Sequence, residues 1–219
     1  MSKVRDFILD IFMPNRCPCC EGFIKWDKLI CEKCAEALEP VDNSGEAPPA
    51  GCSAAVSAYK YDGAAKQGIY ALKDGWGLNF AVCTAPLLAE KLKGCGADLI
   101  TCVPMAKRKA NERGYNQAEV VASELSKLMD IPCDCGLLTR RPTSLAQHDL
   151  ATAAERAEFT RTLYGIADSH EDITGRKLLL ADDVHTTGAT LSECAGKLLS
   201  MGAAEVIAVT LCRTVKEKD

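Results

Sequence analysis

The chain has 219 residues, 47% apolar and 26% charged, with a formal net charge of -4. That composition supports one ordinary core plus at most a small satellite domain, and it excludes disorder and fibrous repeats. No run approaches the ~18 apolar residues of a membrane helix, so no membrane insertion is expected, and the mildly acidic balance means that any nucleic-acid or phosphate site must be a local basic patch.

Residues 3–12 read as a short apolar-rich helix ended by Pro14, and Met1 to Asp10 lacks the charged start, apolar stretch and cleavage site of a secretory signal. Residues 17–34 are dense in cysteine, and residues 40–51, with Pro, Gly, Ser and acidic content, read as a linker. The expected division is therefore a small module over 1–50 and a larger domain over 51–219. In the larger part Ser53 to Tyr61 reads as a strand, Ala64 to Leu72 and Leu78 to Leu92 as helices, and Asp98 to Pro104 as a short apolar strand. Apolar residues at 118, 121, 122, 125 and 128 predict a helix over Asn116 to Met129, with Asn116 as its N-cap. Residues 139–160 read as a long polar loop with some helix. Lys177 to Val184 and Glu205 to Leu211 read as buried strands, separated by a helix carrying Leu191, Cys194, Ala195, Leu198 and Leu199 on one stripe. Strands alternating with helices at this spacing predict an α/β fold, a parallel sheet with helical crossovers.

Thirteen cysteines, an odd number, argue against a secreted disulfide scaffold and for a reducing cytoplasm. Cys17 and Cys20 form one C-x-x-C pair and Cys31 and Cys34 a second. Four thiolates at this spacing can close a tetrahedron around Zn²⁺. Such a site has no open position, so the metal would be structural, and its binding would supply the folding energy of a module too small to fold alone. Cys19 is a fifth thiol that could compete for a place; the alternative reading leaves all of these thiols unligated. Cys102 and Cys194 read as core residues, and Cys133 and Cys135, flanking Asp134, as core or surface filler.

The sharpest pattern is KLLLADDVHTTGAT at Lys177 to Thr190. An apolar strand delivers two adjacent carboxylates, Asp182 and Asp183, and then a Thr-Thr-Gly-Ala-Thr turn into a helix. The helix N-terminus offers amides and a favourable dipole to a phosphate. Gly188 allows close backbone approach, while Thr186, Thr187 and Thr190 add hydroxyl donors. The carboxylates can accept hydrogen bonds from vicinal sugar hydroxyls. No Walker lysine and no G-x-G-x-x-G accompany the turn, so the pattern reads as a ribose-5-phosphate cradle; the bland alternative is a capped helix and two solvated aspartates.

These residues resemble the phosphoribosyl pyrophosphate (PRPP) motif of type I phosphoribosyltransferases. The resemblance implies that Asp182 and Asp183 hold the ribose hydroxyls, that residues 186–190, Ala189 included, wrap the 5-phosphate, and that pyrophosphate is displaced with Mg²⁺ present. It also implies a parallel sheet flanked by helices under a variable hood. Together with the N-terminal four-cysteine knuckle, Val103-Pro104-Met105 with its basic run, and Arg113-Gly-Tyr-Asn-Gln-Ala-Glu119, the pattern resembles the ComF family, bacterial proteins associated with competence for DNA uptake. Lys73 sits where that family places a lysine after its first strand and helix. One departure is Phe159, where the family carries an asparagine three residues after an arginine, here Arg156; another is His185, where a bulkier aromatic is common.

Lys107, Arg108, Lys109 and Arg113 form the densest cationic run and could neutralise pyrophosphate, with Arg113 the best of the four; a solvated basic face is the alternative. Arg140, Arg141, Gln147 and Arg156 lie in a polar segment that in a phosphoribosyltransferase would close over PRPP, exclude water and add charge to the leaving group; a surface loop with spare arginines is the alternative. His148 and His170 read as surface residues. Two functions follow: PRPP and Mg²⁺ binding with phosphoribosyl transfer to an unknown acceptor or PRPP hydrolysis, carried by Asp182, Asp183, Arg113 and Lys73; or a non-catalytic DNA-uptake accessory that binds single-stranded DNA and competence partners.

Overall fold

The computed structural model describes residues 15–44, 47–141, 163–168 and 170–215. The helix expected over 3–12 and nearly all of the loop expected over 139–160 lie outside those residues.

The chain opens with a two-stranded antiparallel hairpin, β1 (Asn15–Arg16) and β2 (Phe23–Ile24), followed by a one-turn helix α1 (Glu32–Glu36). The body follows in the order β3 (Ala54–Lys60), α2 (Gly63–Lys73), α3 (Leu78–Lys91), β4 (Leu99–Cys102), α4 (Lys107–Arg113), α5 (Gln117–Met129), β5 (Leu138–Arg140), β6 (Tyr164–Ile166), β7 (Lys177–His185), α6 (Ala189–Ser200) and β8 (Glu205–Arg213). Four of these strands form one parallel sheet in the order β3-β8-β7-β4. β5 and β6 pair separately as an antiparallel hairpin.

The expected parallel sheet flanked by helices is present. Leu178, Leu179, Leu180 and Ala181 of β7 are all fully buried, so both faces of the sheet are covered, as parallel sheets require. α3 and α5 pack on each other and on the strands, while α6 packs on β7, β8 and the β5–β6 hairpin. α2 buries Ala65, Gly68, Ile69 and Leu72, one helical stripe, against α3. Gly68 is required there: a Cβ would fall 2.4 Å from the ring of buried Phe80. Asn116 caps α5 as its sequence predicts, its Oδ1 accepting from the Ala118 amide at 3.2 Å.

Two features were not legible in the sequence. The basic run 107–113 is a helix, closed by Gly114 in the left-handed region at φ 82°. The segment expected as a linker lies along β3: the Val41 amide donates to the Ala58 carbonyl and the Lys60 amide to that of Glu39. Asn43 clasps Ser57 in both directions, accepting from its amide at 2.8 Å and donating to its carbonyl at 3.0 Å. On the far side of the sheet, the Ile100 amide donates to the Pro132 carbonyl, and the Asp134 amide donates to the Ile100 carbonyl.

Candidate functional site

The site is built at the carboxyl ends of β4 and β7, the end at which open α/β sheets bind ligands. β7 emerges from the core as Asp182 and Asp183, neither of them exposed. The Asp183 amide donates to Asp182 Oδ1 at 2.8 Å, which fixes the first carboxylate against its own strand. Burial pushes the Asp182 carboxyl up, to about 8, and the neighbouring Asp183 charge adds to this; the Asp183 amide, Lys73 and Arg140 act in the opposite direction. Lys73, the last residue of α2, places its Nζ 3.2 Å from Asp183 Oδ2. Its position is set by two bonds to the neighbouring Leu72 carbonyl, from the Tyr115 hydroxyl at 2.6 Å and from Gln117 Nε2 at 3.5 Å. These bonds tie the end of α2 to the α4–α5 turn.

A cavity of about 220 Å³ opens between these elements. Among the described residues its charged lining is Lys73, Lys109, Arg113, Arg140, Asp182 and Asp183, four cations against two acids. The end of β4 contributes Val103, Pro104 and Met105, and the start of α5 contributes Asn116 and Gln117. A small polar cavity with excess positive charge suits a polyanion that also offers hydroxyl groups to carboxylates.

The four residues expected to act on the ligand, Lys73, Arg113, Asp182 and Asp183, thus share one cavity. Lys107 and Arg108 do not line it: both are exposed, and Arg108 pairs with Glu112 one turn along at 3.2 Å. The turn 186–190 follows the acids directly but does not line the cavity either. Gly188 has φ 75°, caps α6 and is buried, while Thr186, Thr187 and Ala189 are exposed at the helix N-terminus. A Cβ on Gly188 would meet Pro49 at 3.2 Å and His185 Nε2 at 3.0 Å. His170 is exposed as expected.

The second constellation is the N-terminal knuckle. Cys17, Cys20, Cys31 and Cys34 bring their sulfurs within 4.8 Å of one another. Cys20 and Cys31 stand 3.8 Å apart, against a tetrahedral Zn–thiolate edge of about 3.8 Å built from ~2.3 Å bonds. Burial alone would raise the Cys17 thiol, but hydrogen bonds from the backbone of Cys31, Cys19 and Cys20 outweigh it and bring it down to about 7. Cys31 caps α1, its sulfur accepting from the Cys34 amide at 3.4 Å. This donor set is compatible with zinc. Cys19 stands outside the cluster: it is buried in the core, where burial and the Cys17 and Cys83 thiols push it up. Cys102 and Cys194 are core residues as expected, whereas exposed Cys133 lies 3.6 Å from Cys135.

No family model matches the chain. Among curated proteins it is 35% identical over 118 residues to the DNA utilization protein YhgH of Escherichia coli O157:H7, covering 54% of this chain and 50% of that one. It is 32% identical over 109 residues to Competence protein F of Haemophilus influenzae, covering 50% and 47%, and 29% identical over 113 residues to Competence protein ComFC of Bacillus subtilis, covering 51% and 43%. Over about half its length, the chain is similar to these DNA utilization and competence proteins. It spans about half the length of the curated relatives it matches. Its neighbours among solved structures include phosphoribosyltransferases. The purine enzyme of Pyrococcus horikoshii Ot3 aligns with a TM-score of 0.40 and 20% identity over 63% of this chain and 84% of that one. A hypoxanthine enzyme of Staphylococcus aureus aligns with a TM-score of 0.38 and 12% identity over 65% and 74%.

Sequence reasoning undervalued Lys109 and Arg140 and missed Tyr164, which packs against Arg140. The signal for Lys109 was available: on a helix ended by Gly114, positions 109 and 113 share a face, and 108 and 112 share another.

Proposed function

We propose that the protein binds PRPP with Mg²⁺ at the Asp182–Asp183 cavity and catalyses displacement of its pyrophosphate, by an acceptor in phosphoribosyl transfer or by water in hydrolysis. The observation that carries this reading is the meeting, in one cavity, of two adjacent strand-end carboxylates with Lys73, Lys109 and Arg113. The carboxylates would accept from the 2- and 3-hydroxyls and hold the anomeric carbon still. As the bond from that carbon to the pyrophosphate oxygen breaks, negative charge grows on the leaving group and positive charge on the sugar ring. Lys109 and Arg113 would stabilise the first; the strand-end acids favour the second. Lys73, already 3.2 Å from Asp183, would turn from its carboxylate partner toward the leaving group. The turn 186–190 would take the 5-phosphate on its amides. Mg²⁺ bound with PRPP would neutralise pyrophosphate charge, and the oxygen donors here that suit so hard a cation are Asp182 and Asp183.

Residues 17–34 would hold a structural Zn²⁺ through Cys17, Cys20, Cys31 and Cys34, with 1–50 as the metal-bearing module and 51–219 as the catalytic body. The names of the relatives support a role in competence and DNA uptake. None of the thirteen cysteines is in a disulfide, which supports a cytoplasmic setting. Among the described residues no helix is long and apolar enough to cross a membrane.

Calorimetric titration with PRPP and Mg²⁺ tests the reading. Asp182→Asn and Asp183→Asn should each weaken binding on the order of 10–100-fold, the value of a charge-assisted hydrogen bond or two. Full affinity in both variants defeats it.

One observation favours the accessory reading. Trp76 is exposed, and a Cβ on the preceding Gly75 would fall 3.8 Å from the Arg113 carbonyl at the end of the basic helix; Tyr70 is exposed on α2. Exposed rings next to cations are the elements of a single-stranded DNA surface. Salt-dependent binding of single-stranded DNA that is lost in Trp76→Ala and Arg108→Glu, yet kept in Asp182→Ala, would establish that role.

A further inference from the structure

Cys133 and Cys135 are a pair of thiols for which neither the cavity nor the knuckle has a use. Their sulfurs lie 3.6 Å apart, closer than the 3.8 Å between Cys20 and Cys31 in the knuckle. The backbone around them is pinned. Pro132 and Asp134, the neighbours of Cys133, are both bonded to Ile100 of the edge strand β4. Past Asp134 the chain turns tightly, because Asp134 Oδ1 accepts from the Gly136 amide at 2.7 Å. Anchored segment and turn together hold the two sulfurs against each other. Cys133 is exposed, and Cys135 is half-buried.

Two chemistries suit adjacent thiols, metal binding and oxidation. A soft metal held by protein side chains needs three or four donors around one point. Among the described residues, only the knuckle gathers three or more His, Cys, Asp or Glu side chains with every ligand atom within 4.8 Å of the others. The pair lacks that set, whereas a disulfide needs two sulfurs and no more. A bond of about 2.05 Å asks them to close by roughly 1.5 Å, which rotation about one χ1 covers. We propose that Cys133 and Cys135 are a redox modification site, a dithiol that a small-molecule disulfide converts to an intramolecular disulfide. The exposed Cys133 sulfur attacks the reagent, whose S–S bond breaks, and a mixed disulfide forms as the first small thiol leaves. Cys135 then attacks the Cys133 sulfur and expels the second. Two protein thiols are oxidised, one reagent disulfide is reduced to two thiols, and the two protons lost by the protein go to them.

The local environment sets the pace. The hydrogen bond to Cys135 pushes the Cys133 thiol up, with burial and the Cys135, Asp134 and Glu119 charges adding to it. Contact with Cys102 pushes Cys135 up, with burial and the Cys102 and Glu119 charges adding, and only Cys133 acting in the opposite direction. Little thiolate is present at neutral pH, so attack is slow. A thiolate so disfavoured is also a poor leaving group, so the closed disulfide resists exchange. Nothing in this chemistry depends on the PRPP reading.

The test equilibrates the full chain with glutathione buffers running from reduced to oxidised, quenches in acid, alkylates and digests with trypsin. Cleavage after Lys127 and Arg140 releases residues 128–140, which hold no other cysteine. From reduced protein that peptide should carry two alkyl groups. From oxidised protein it should carry none and be lighter by two hydrogens. Cys135→Ser should halt the exchange at the mixed disulfide and leave glutathione on Cys133. A doubly alkylated wild-type peptide at every buffer ratio overturns the proposal. So does a bond from Cys135 to Cys102, or glutathione retained on wild-type Cys133. These decisive readings come from the wild-type chain, so they hold even if the serine variant does not fold.

Discussion

The cysteine knuckle and the acid cavity are built in opposite ways. The knuckle draws all four donors from 18 consecutive residues, and two backbone turns suffice to bring their sulfurs together. The cavity draws its charges from α2, α4, β5 and β7, from residue 73 to residue 183, and exists only once the sheet has assembled. One is a closed set of like donors around a point. The other is a mixed set around an empty volume. The first would depend on a metal for its stability; the second depends on the fold and gives some stability back, since it buries acids.

The largest expected effect falls on the knuckle. Cys34→Ser, or a strong chelator, should take zinc from about one per chain to none, measured by elemental analysis. Cys17, Cys19, Cys34 and Leu38 belong to the same buried cluster as Ile69 and Phe80, so the melting temperature of the whole protein should fall with the metal. Retention of the wild-type melting temperature by a metal-free protein would mean that the hairpin is held by packing alone.

At the cavity, burial has raised the Asp182 carboxyl above its unfolded value. The folded state therefore binds a proton that the unfolded state has lost between about pH 4 and about pH 8. The stability contributed by this group is fully present below pH 4 and is lost as pH rises through 8. Thermal melts across that window should show a downward trend that Asp182→Asn flattens, since the amide cannot ionise. A parallel trend in the variant would assign the slope to other groups.

A smaller effect is expected at the turn. Gly188→Ala must hold φ 75° with a side chain and press on Pro49 and His185. About 1–3 kcal/mol of destabilisation is expected, read as a fall in melting temperature of roughly 2–10 °C. The smallest effect belongs to Lys177 and Glu205, a partly exposed pair at 2.9 Å. Lys177→Ala should cost no more than about 1 kcal/mol, and a larger loss would show that the strand start matters more than its charge.

The contrast between the two regions also explains what the sequence revealed. Paired C-x-x-C spacing is local, so the ligand set could be named from it. Asp182, Asp183 and the turn after them are local as well, and were legible as one motif. Lys73 was placed by resemblance. The identity of the cavity's cations was a question of facing: Lys109 and Arg113 point in and Lys107 and Arg108 do not, a distinction invisible until the run is known to be helical. Arg140 and Tyr164 needed more still. Their ladder joins positions 24 residues apart, and a three-residue strand of mixed polarity gives no periodicity to read. The bound course of residues 39–43 was hidden for a similar reason: Pro, Asp and Asn favour loops by composition, and only the neighbouring strand supplies the ladder that holds them.

Those residues have one more consequence. A four-stranded open sheet has two outer strands, each with a free row of amides and carbonyls on which a foreign strand can polymerise. Here residues 39–43 occupy that row on β3, and Pro132 to Asp134 occupy it on β4. Each guard is too short to extend the sheet and carries proline beside its contact. The protein thereby blunts part of the aggregation hazard inherent in its own architecture.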